Sequence, residues 1–259
     1  MSDDLRDLTV AITALAIRAG AIALAMREDA TRDARQKSDG TPVTNADETA
    51  ESVINEDLAA RFPDIPIVGE ESVAAGNMPD ISGGRFWLVD PIDGTKDYIG
   101  GGPEFTVNIG LIDNWVPVAG VVNAPALGQT YAGSVGNGAT RRDADGSVHT
   151  IQVSGKHEND LRVVASRRHD NQAEVEALLA GRSVSEWVSI SSSLKFCLIA
   201  GDQADLYPRI GPTHEWDTAA GDAVVRAAGG SVITMQGDTL RYGKLPRLLN
   251  EGFIARAHP

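Results

Sequence analysis

Phe86-Trp87-Leu88-Val89-Asp90-Pro91-Ile92-Asp93-Gly94-Thr95 joins an apolar strand-like run to a turn that carries two carboxylates and a hydroxyl. Asp90 and Asp93 flank Pro91, whose ring fixes the local backbone and favours a turn at the strand end. Both carboxylates could then face one hard cation, which prefers oxygen ligands, with the Ile92 carbonyl as a further donor. Gly94 permits close backbone approach, and the amides of Gly94 and Thr95 could hold a phosphate oxygen. Alone, the same residues also make an ordinary polar turn. The decision rests on what surrounds it.

On either side of this stretch the pattern is mixed. Leu5, Leu8, Ile12, Leu15, Ala19 and Leu24 recur at mostly three- and four-residue steps, which predicts a long amphipathic helix. Gln36 to Pro42 is a polar loop, and Thr44-Asn45-Ala46-Asp47 resembles a capping box that opens a second helix with Val53, Ile54 and Leu58 inward. Ile65 to Val68 and Phe86 to Val89 read as strands. Phe105 to Ile112 alternates with period two, and Val116 to Asn123 pairs with it across Asp113-Asn114.

After Ser154-Gly155-Lys156 the rhythm changes to strands separated by helices. The strands are Leu161–Ala165, Val188–Ile190, Ala204–Tyr207 and Ser231–Ile233; the helices are Gln172–Leu179, Ser193–Ala200 and Trp216–Ala228. Such spacing favours parallel pairing. The expectation is an N-terminal α+β domain, residues 1–154, with an antiparallel sheet, and a C-terminal α/β domain, residues 155–259, with a mainly parallel sheet.

Composition narrows the function classes. With 259 residues, 42% of them hydrophobic, the chain can bury a large core. Its 23 Lys+Arg against 36 Asp+Glu give a formal charge of -13, which disfavours nucleic acid or an anionic membrane as partner. An anionic small molecule would need a local cationic pocket or bound metal. The single cysteine, Cys197, forms no internal disulfide and reads as core, and the start Met1-Ser2-Asp3-Asp4 lacks a basic secretory flank. No apolar run approaches the ~20 residues of a membrane span. These features predict a cytoplasmic protein without an integral membrane segment.

Further acids sit at other element ends. Glu70 and Glu71 follow the Ile65–Val68 strand; Asp217 precedes an Ala-rich helix, where it could equally be a cap; Asp47 could be only the acid of its capping box. Glu71 reads as a solvated loop acid. In order and spacing, Glu70-Glu71, Asp90 to Thr95 and Trp216-Asp217 resemble the inositol monophosphatase superfamily of Mg²⁺-dependent, often lithium-sensitive phosphatases. Within it, Asp90 through Ile112, Ser191 to Cys197, Leu206 to Arg209 and Gly211-Pro212-Thr213 resemble the bacterial 3'(2'),5'-bisphosphate nucleotidases. Gly100-Gly101-Gly102-Pro103 departs from the bulkier, more basic residues of those relatives, and Gly69 to Gly76 also resembles the inositol phosphatases, which leaves mixed specificity open.

The resemblance implies an αβαβα layered sandwich of the sugar-phosphatase type. It implies about two or three Mg²⁺ ions per site. Glu70, Asp90, Asp93, Asp217 and the Ile92 carbonyl would be metal ligands. Thr95, with Asp47 and Glu70, would orient an attacking water, and Gly94 and Thr95 amides would hold the scissile phosphate. Ser192, Lys195, Arg209 and Asp217 would contact substrate, although Ser192 as a helix cap, Lys195 as an exposed helical charge and Arg209 as a loop cation are equally ordinary. Ser166-Arg167-Arg168-His169 is a further candidate phosphate contact. The implied reaction converts 3'-phosphoadenosine 5'-phosphate, a by-product of sulfate assimilation, to AMP and phosphate. An inositol-1-phosphatase, a sugar or histidinol phosphate phosphatase, and a non-catalytic nucleotide sensor remain open, and a homodimer is compatible with all of them.

Overall fold

The computed structural model describes residues 2–37, 40–155, 160–165, 172–179 and 181–257. The chain begins with α1 (Ser2–Met26), α2 (Ala30–Asp33) and a short hairpin, β1 (Arg35–Gln36) and β2 (Pro42–Val43). Then come α3 (Asn45–Arg61), β3 (Ile67–Gly69), α4 (Glu70–Ala74), β4 (Phe86–Asp93) and α5 (Thr95–Ile99). A meander follows: β5 (Thr106–Asp113), β6 (Val116–Ala124), β7 (Gln129–Ser134), β8 (Gly138–Arg142) and β9 (Val148–Ile151). The remainder is β10 (Asp160–Ala165), α6 (Gln172–Leu178), β11 (Ser183–Ser189), α7 (Leu194–Ala200), β12 (Leu206–Arg209), β13 (Thr213–His214), α8 (Ala219–Ala227), β14 (Ser231–Thr234), β15 (Leu249–Asn250) and β16 (Phe253–Arg256).

These elements stack in five layers. A seven-stranded sheet runs β3-β4-β5-β6-β7-β8-β9, antiparallel except for the β3–β4 pair. The period-two pattern of β4 divides its faces: Trp87 and Val89 pack with Ile12, Ala16, Ile54 and Leu58 of α1 and α3, whereas Phe86 and Leu88 face the opposite core. There α7 and α8 lie between the two sheets, with Phe196 stacked on Phe253 and Val224 and Val225 in the same cluster. The five-stranded sheet runs β11-β10-β12-β16-β14, and its outer face, through Leu161, Val163 and Leu206, meets Val175 and Leu179 at α6. This is the αβαβα sandwich expected from the sequence.

Within the second sheet the parallel expectation holds for β11-β10-β12, where helices supply the crossovers. β16 pairs antiparallel with both β12 and β14, so β11, β10, β12 and β14 all run the same way and the sheet is mainly parallel, as expected, with β16 as one reversed strand. The short C-terminal strand Phe253–Arg256 was not anticipated, and it fills the space between two strands that would otherwise have been neighbours.

The buried side of α1 is Leu8, Ile12, Leu15, Ala16, Ala19 and Ala23, whereas Leu24 is 40% exposed and does not belong to the core stripe. Among the described residues, Asp4–Asp29 is one helical stretch long and apolar enough to cross a membrane by length and composition, its most apolar 18-residue window having mean hydropathy 2.0. This corrects the expectation that no such run exists. Scattered charges such as Asp7 and Arg18 interrupt the run in linear order but leave its average apolar. One face of the helix is already buried against α3 and the first sheet, so it is a core helix of this fold.

Two local features aim the chain toward one place. The β4–β5 register shifts between Asp90 and Asp93, so Pro91, which has no N–H for the ladder, sits in a bulge. Gly110 and Gly120 let α8 approach the first sheet closely: an added Cβ at Gly120 would lie 2.5 Å from the Ala220 carbonyl oxygen, and one at Gly110 would lie 2.9 Å from Ala219. That contact carries the segment before α8 to the bulge.

Candidate active site

The bulge, the start of α5, the start of α7 and the approach to α8 enclose a cavity of about 420 Å³. Glu70, Asp90, Ile92, Asp93, Gly94, Thr95, Ser192, Lys195, Arg209 and Asp217 all line it. Asp47 stands behind Thr95: Asp47 Oδ2 accepts from the Thr44 amide at 2.8 Å and hydroxyl at 2.6 Å, completing the capping box, while Oδ1 lies 3.4 Å from Thr95 Oγ1. Both sequence readings of Asp47, cap and site residue, thus describe different oxygens of one carboxylate. The Thr95 hydroxyl also lies 3.0 Å from the Ile92 carbonyl oxygen.

Gly94 occupies the left-handed region at φ 91° and opens α5, so its amide and that of Thr95 begin a helix and have no intrahelical acceptor. A Cβ there would meet the Glu104 carbonyl at 3.0 Å. Asp90 Oδ1 accepts from the Ile92 amide at 3.0 Å, which holds the bulge closed. Opposite, Ser193 Oγ lies 2.9 Å from Asp93 Oδ2, 2.6 Å from the Asp217 carbonyl oxygen and 2.9 Å from Asn108 Nδ2. It ties the bulge to the segment before α8 across a hundred residues.

Asp217 is not the helix cap. Thr218 precedes α8, and the Asp217 carboxylate instead accepts from the Thr213 hydroxyl and, at 3.1 Å, from the His214 amide. Glu71 is not solvated either, because Lys37 Nζ lies 2.7 Å from it and 2.5 Å from Glu70. Lys195 is 5% exposed rather than a surface charge; its ammonium donates to the Ser192 carbonyl at 2.6 Å and stands over the Tyr207 ring. Ser192 is no cap. Ser193 holds that position, while Ser192 adopts φ 55° and its buried hydroxyl has no partner among the described residues. Arg209 donates to the Gly211 and Pro212 carbonyls at the cavity wall. Ser166 to His169 lie outside the described residues.

Burial and mutual repulsion dominate the electrostatics of this pocket. Burial raises Asp90 well above the usual carboxylate range, and the neighbouring charges of Glu70, Asp93 and Asp217 push the same way. Burial likewise raises Glu70 to about 7 and Asp217 to about 7, and it raises Asp93 against the opposing effect of Lys195 and Ser193. Burial works against the Lys37 charge, yet Glu70 and Glu71 outweigh it and raise its pKa. Four recessed acids with too little positive charge, plus a backbone carbonyl, form an all-oxygen donor set that fits a hard divalent cation. Among the described residues no three His, Cys, Asp or Glu side chains converge on one metal-sized point. The acids ring the cavity, and Lys37 occupies part of Glu70.

Sequence reasoning missed Lys37 and Ser193. Lys37 lay in a polar loop with no periodic signal, and Ser193 was one of three serines with nothing to distinguish it. The missed Glu215 is fully buried and accepts from the Gly243 amide at 2.6 Å and the Lys244 amide at 3.0 Å, which fixes the loop beside Trp216-Asp217. A carboxylate two residues before a candidate ligand was its only trace.

This architecture is matched by known proteins. The inositol monophosphatase family model matches residues 4–258, and the chain belongs to that family. It is 45% identical, over 85% of its length and 87% of the relative's, to a 3'(2'),5'-bisphosphate nucleotidase CysQ of Shigella flexneri. Its fold is similar to that of CysQ from Bacteroides thetaiotaomicron, with TM-score 0.81, 33% identity and 98% of each chain covered. It is also similar to inositol monophosphatase from Anabaena, with TM-score 0.78, 27% identity, and 98% and 92% of the two chains covered.

Proposed function

We propose that this chain is a Mg²⁺-dependent phosphomonoesterase that removes the 3'-phosphate of 3'-phosphoadenosine 5'-phosphate, giving AMP and phosphate. The observation that carries the reading is the cavity itself: Glu70, Asp90, Asp93 and Asp217 line it together with buried Lys195 and half-buried Arg209, in a chain 45% identical to a bisphosphate nucleotidase. A substrate with two phosphates has a use for both the acids and the cations.

In this reading Glu70, Asp90, Asp93, Asp217 and the Ile92 carbonyl hold the cations. Bound Mg²⁺ would acidify water and neutralise phosphate charge. Thr95, its proton directed to Asp47 or the Ile92 carbonyl, presents lone pairs to the attacking water, with Glu70 as the further residue that orients it. The water oxygen bonds to phosphorus as the bond to the 3'-oxygen breaks; the water's proton passes by way of Thr95 to Asp47, and a proton from solvent completes the 3'-hydroxyl of AMP. The Gly94 and Thr95 amides receive the equatorial phosphate oxygens, where fixed donors stabilise the transition state. Ser192, Lys195 and Arg209 meet the second phosphate, for which the Ser192 hydroxyl has no other partner among the described residues. Residues 1–154 supply most cation ligands, and residues 155–259 supply Asp217 and the substrate contacts. A cytoplasmic role in disposing of the sulfate-assimilation by-product, with sensitivity to lithium, follows from the same reading.

The alternative, an inositol-1-phosphatase or a related sugar or histidinol phosphate phosphatase, is favoured by the fold likeness to the Anabaena enzyme. A nucleotide sensor without turnover would not need the Thr95–Asp47 pair. Relative initial rates on 3'-phosphoadenosine 5'-phosphate, inositol 1-phosphate and fructose 1,6-bisphosphate decide. A preference for inositol 1-phosphate would sink the nucleotidase reading, and no release from any would favour the sensor.

A further inference from the structure

Three Lys or Arg side chains line the cavity, and two of them are already engaged. Lys195 donates to the Ser192 carbonyl and stands over the Tyr207 ring, and Arg209 donates to the Gly211 and Pro212 carbonyls. The third, Lys96, is exposed, and its ammonium has no hydrogen bond or ion pair among the described residues. It is the only Lys or Arg between Arg85 and Arg141, so the first sheet and α5 bring no other cation of their own to the cavity.

The place of Lys96 on α5 sets where that charge points. Thr95 spends its direction on Asp47 and the Ile92 carbonyl, and a helix turns by about 100° per residue, so Lys96 leaves on another side. Tyr98, about 200° further round, is fully buried, which puts Lys96 on the open side of the helix. Gly94 at the head of α5 abuts the loop before α7: a Cβ there would lie 3.5 Å from Ser192 Cβ. Lys96 thus stands two residues from the contact with Ser192, whose buried hydroxyl has no partner among the described residues. An ammonium and a hydroxyl without partners, on touching stretches of chain, suit one shared anion.

We propose that Lys96 is a specificity residue: with Ser192 it binds the phosphate that is not cleaved, and so selects bisphosphates over monophosphates. The inference rests on the nucleotidase reading and adds to it a contact from α5. In that reading the scissile phosphate is received at the Gly94 and Thr95 amides, so an anion met by the outward Lys96 side chain is the other one. The location also answers a kinetic need. A substrate with two phosphates approaches a chain of formal charge -13, and an exposed ammonium at the cavity offsets that repulsion where it matters for capture. Lys195 is buried and Arg209 half-buried, so Lys96 is the cation most open to an arriving anion.

Inhibition constants of the full chain with Mg²⁺ present test this, wild type being compared with Lys96→Met and Lys96→Arg. AMP carries the retained phosphate, and inorganic phosphate imitates the cleaved one. Lys96→Met should raise the Ki of AMP and the KM for 3'-phosphoadenosine 5'-phosphate by about tenfold each, the loss of one charged hydrogen bond, while the Ki of inorganic phosphate moves by less than about twofold. Lys96→Arg should recover most of the AMP affinity, because the charge and a donor are kept. Added NaCl should narrow the gap between wild type and Lys96→Met, since an exposed charge is screened. An unchanged Ki for AMP in Lys96→Met overturns the assignment, as does a rise shared equally by inorganic phosphate, which would put Lys96 on the scissile phosphate. No recovery in Lys96→Arg also overturns it. Failure of the nucleotidase reading looks different, because it appears in the wild type: preference for inositol 1-phosphate and no inhibition by AMP.

Discussion

Thr95 Oγ1 lies 3.4 Å from Asp47 Oδ1, joining the start of one helix to the start of another over 48 positions of sequence. The second Asp47 oxygen is already held by Thr44, so the carboxylate cannot swing away, and Thr95 meets a fixed partner. Thr95→Ala should lower phosphate release by about 10²-fold or more, in the range for a lost proton-handling group, while Thr95→Ser should recover most of it. Asp47→Asn should lose comparable activity, and the double variant should lose little beyond either single one. Initial-rate measurements on the four proteins check this. Additive losses would mean that the pair does not act as a unit.

Asp93 is held by Ser193, which also contacts the Asp217 carbonyl. Asp93→Asn should nearly abolish Mg²⁺-dependent release while leaving the thermal melt close to wild type, because the replacement keeps the shape and the Ser193 contact. Unchanged turnover would remove Asp93 from the site. Ser193→Ala should instead raise the Mg²⁺ concentration needed for half-maximal binding, read by calorimetry, because both acids lose a shared anchor.

The cavity acids should make the metal-free protein's stability depend on pH. Glu70, Glu71 and Asp217 have folded pKa values raised to about 7 chiefly by burial, from 4.5, 4.5 and 3.8. Between those limits the folded chain retains protons that the unfolded chain has released. The stability contribution of these groups is therefore largest at low pH and is lost as pH rises toward and past 7. With chelator present, the Tm should fall between about pH 5 and about pH 8, and added Mg²⁺ should raise it more at the higher pH, because binding displaces those protons. A melt indifferent to Mg²⁺ at the higher pH would refute the cation site.

Lys195 is buried, and burial lowers its pKa to about 8 against the pull of Asp93. Its ammonium is held by the Ser192 carbonyl beside the orphan Ser192 hydroxyl. Lys195→Met should raise KM for the bisphosphate substrate by about tenfold or more, the loss of one charged hydrogen bond, with a smaller change for inositol 1-phosphate. Equal changes for both substrates would mean that Lys195 only supports the fold.

The elements themselves were largely legible. The capping box at Thr44, the alternation in Thr106–Asp113 and the helix containing Cys197 are local patterns, and each formed where its residues directed. The acids could be singled out for the same reason: each lies at the end of an apolar run. Their alternatives were also local, which is why cap and ligand readings of Asp217 could not be separated until Thr213 and His214 were seen around it. Lys37, Ser193 and Glu215 gave no signal, because their roles come from partners tens of residues away.

By itself, then, the stretch from Phe86 to Thr95 determined a strand, a proline-broken end and a turn able to carry carboxylates, since steric preference and hydrophobic period act between near neighbours. Only the tertiary structure decided that the turn closes on Asp47, Glu70 and Asp217, that Lys195 is buried, and that Leu24 faces outward. Those outcomes depend on which surfaces exclude water together, such as α8 seated on Gly110 and Gly120. Burial is a property of the assembled layers, and it is burial that turns four acids at strand and helix ends into one cavity of carboxyls with raised pKa values.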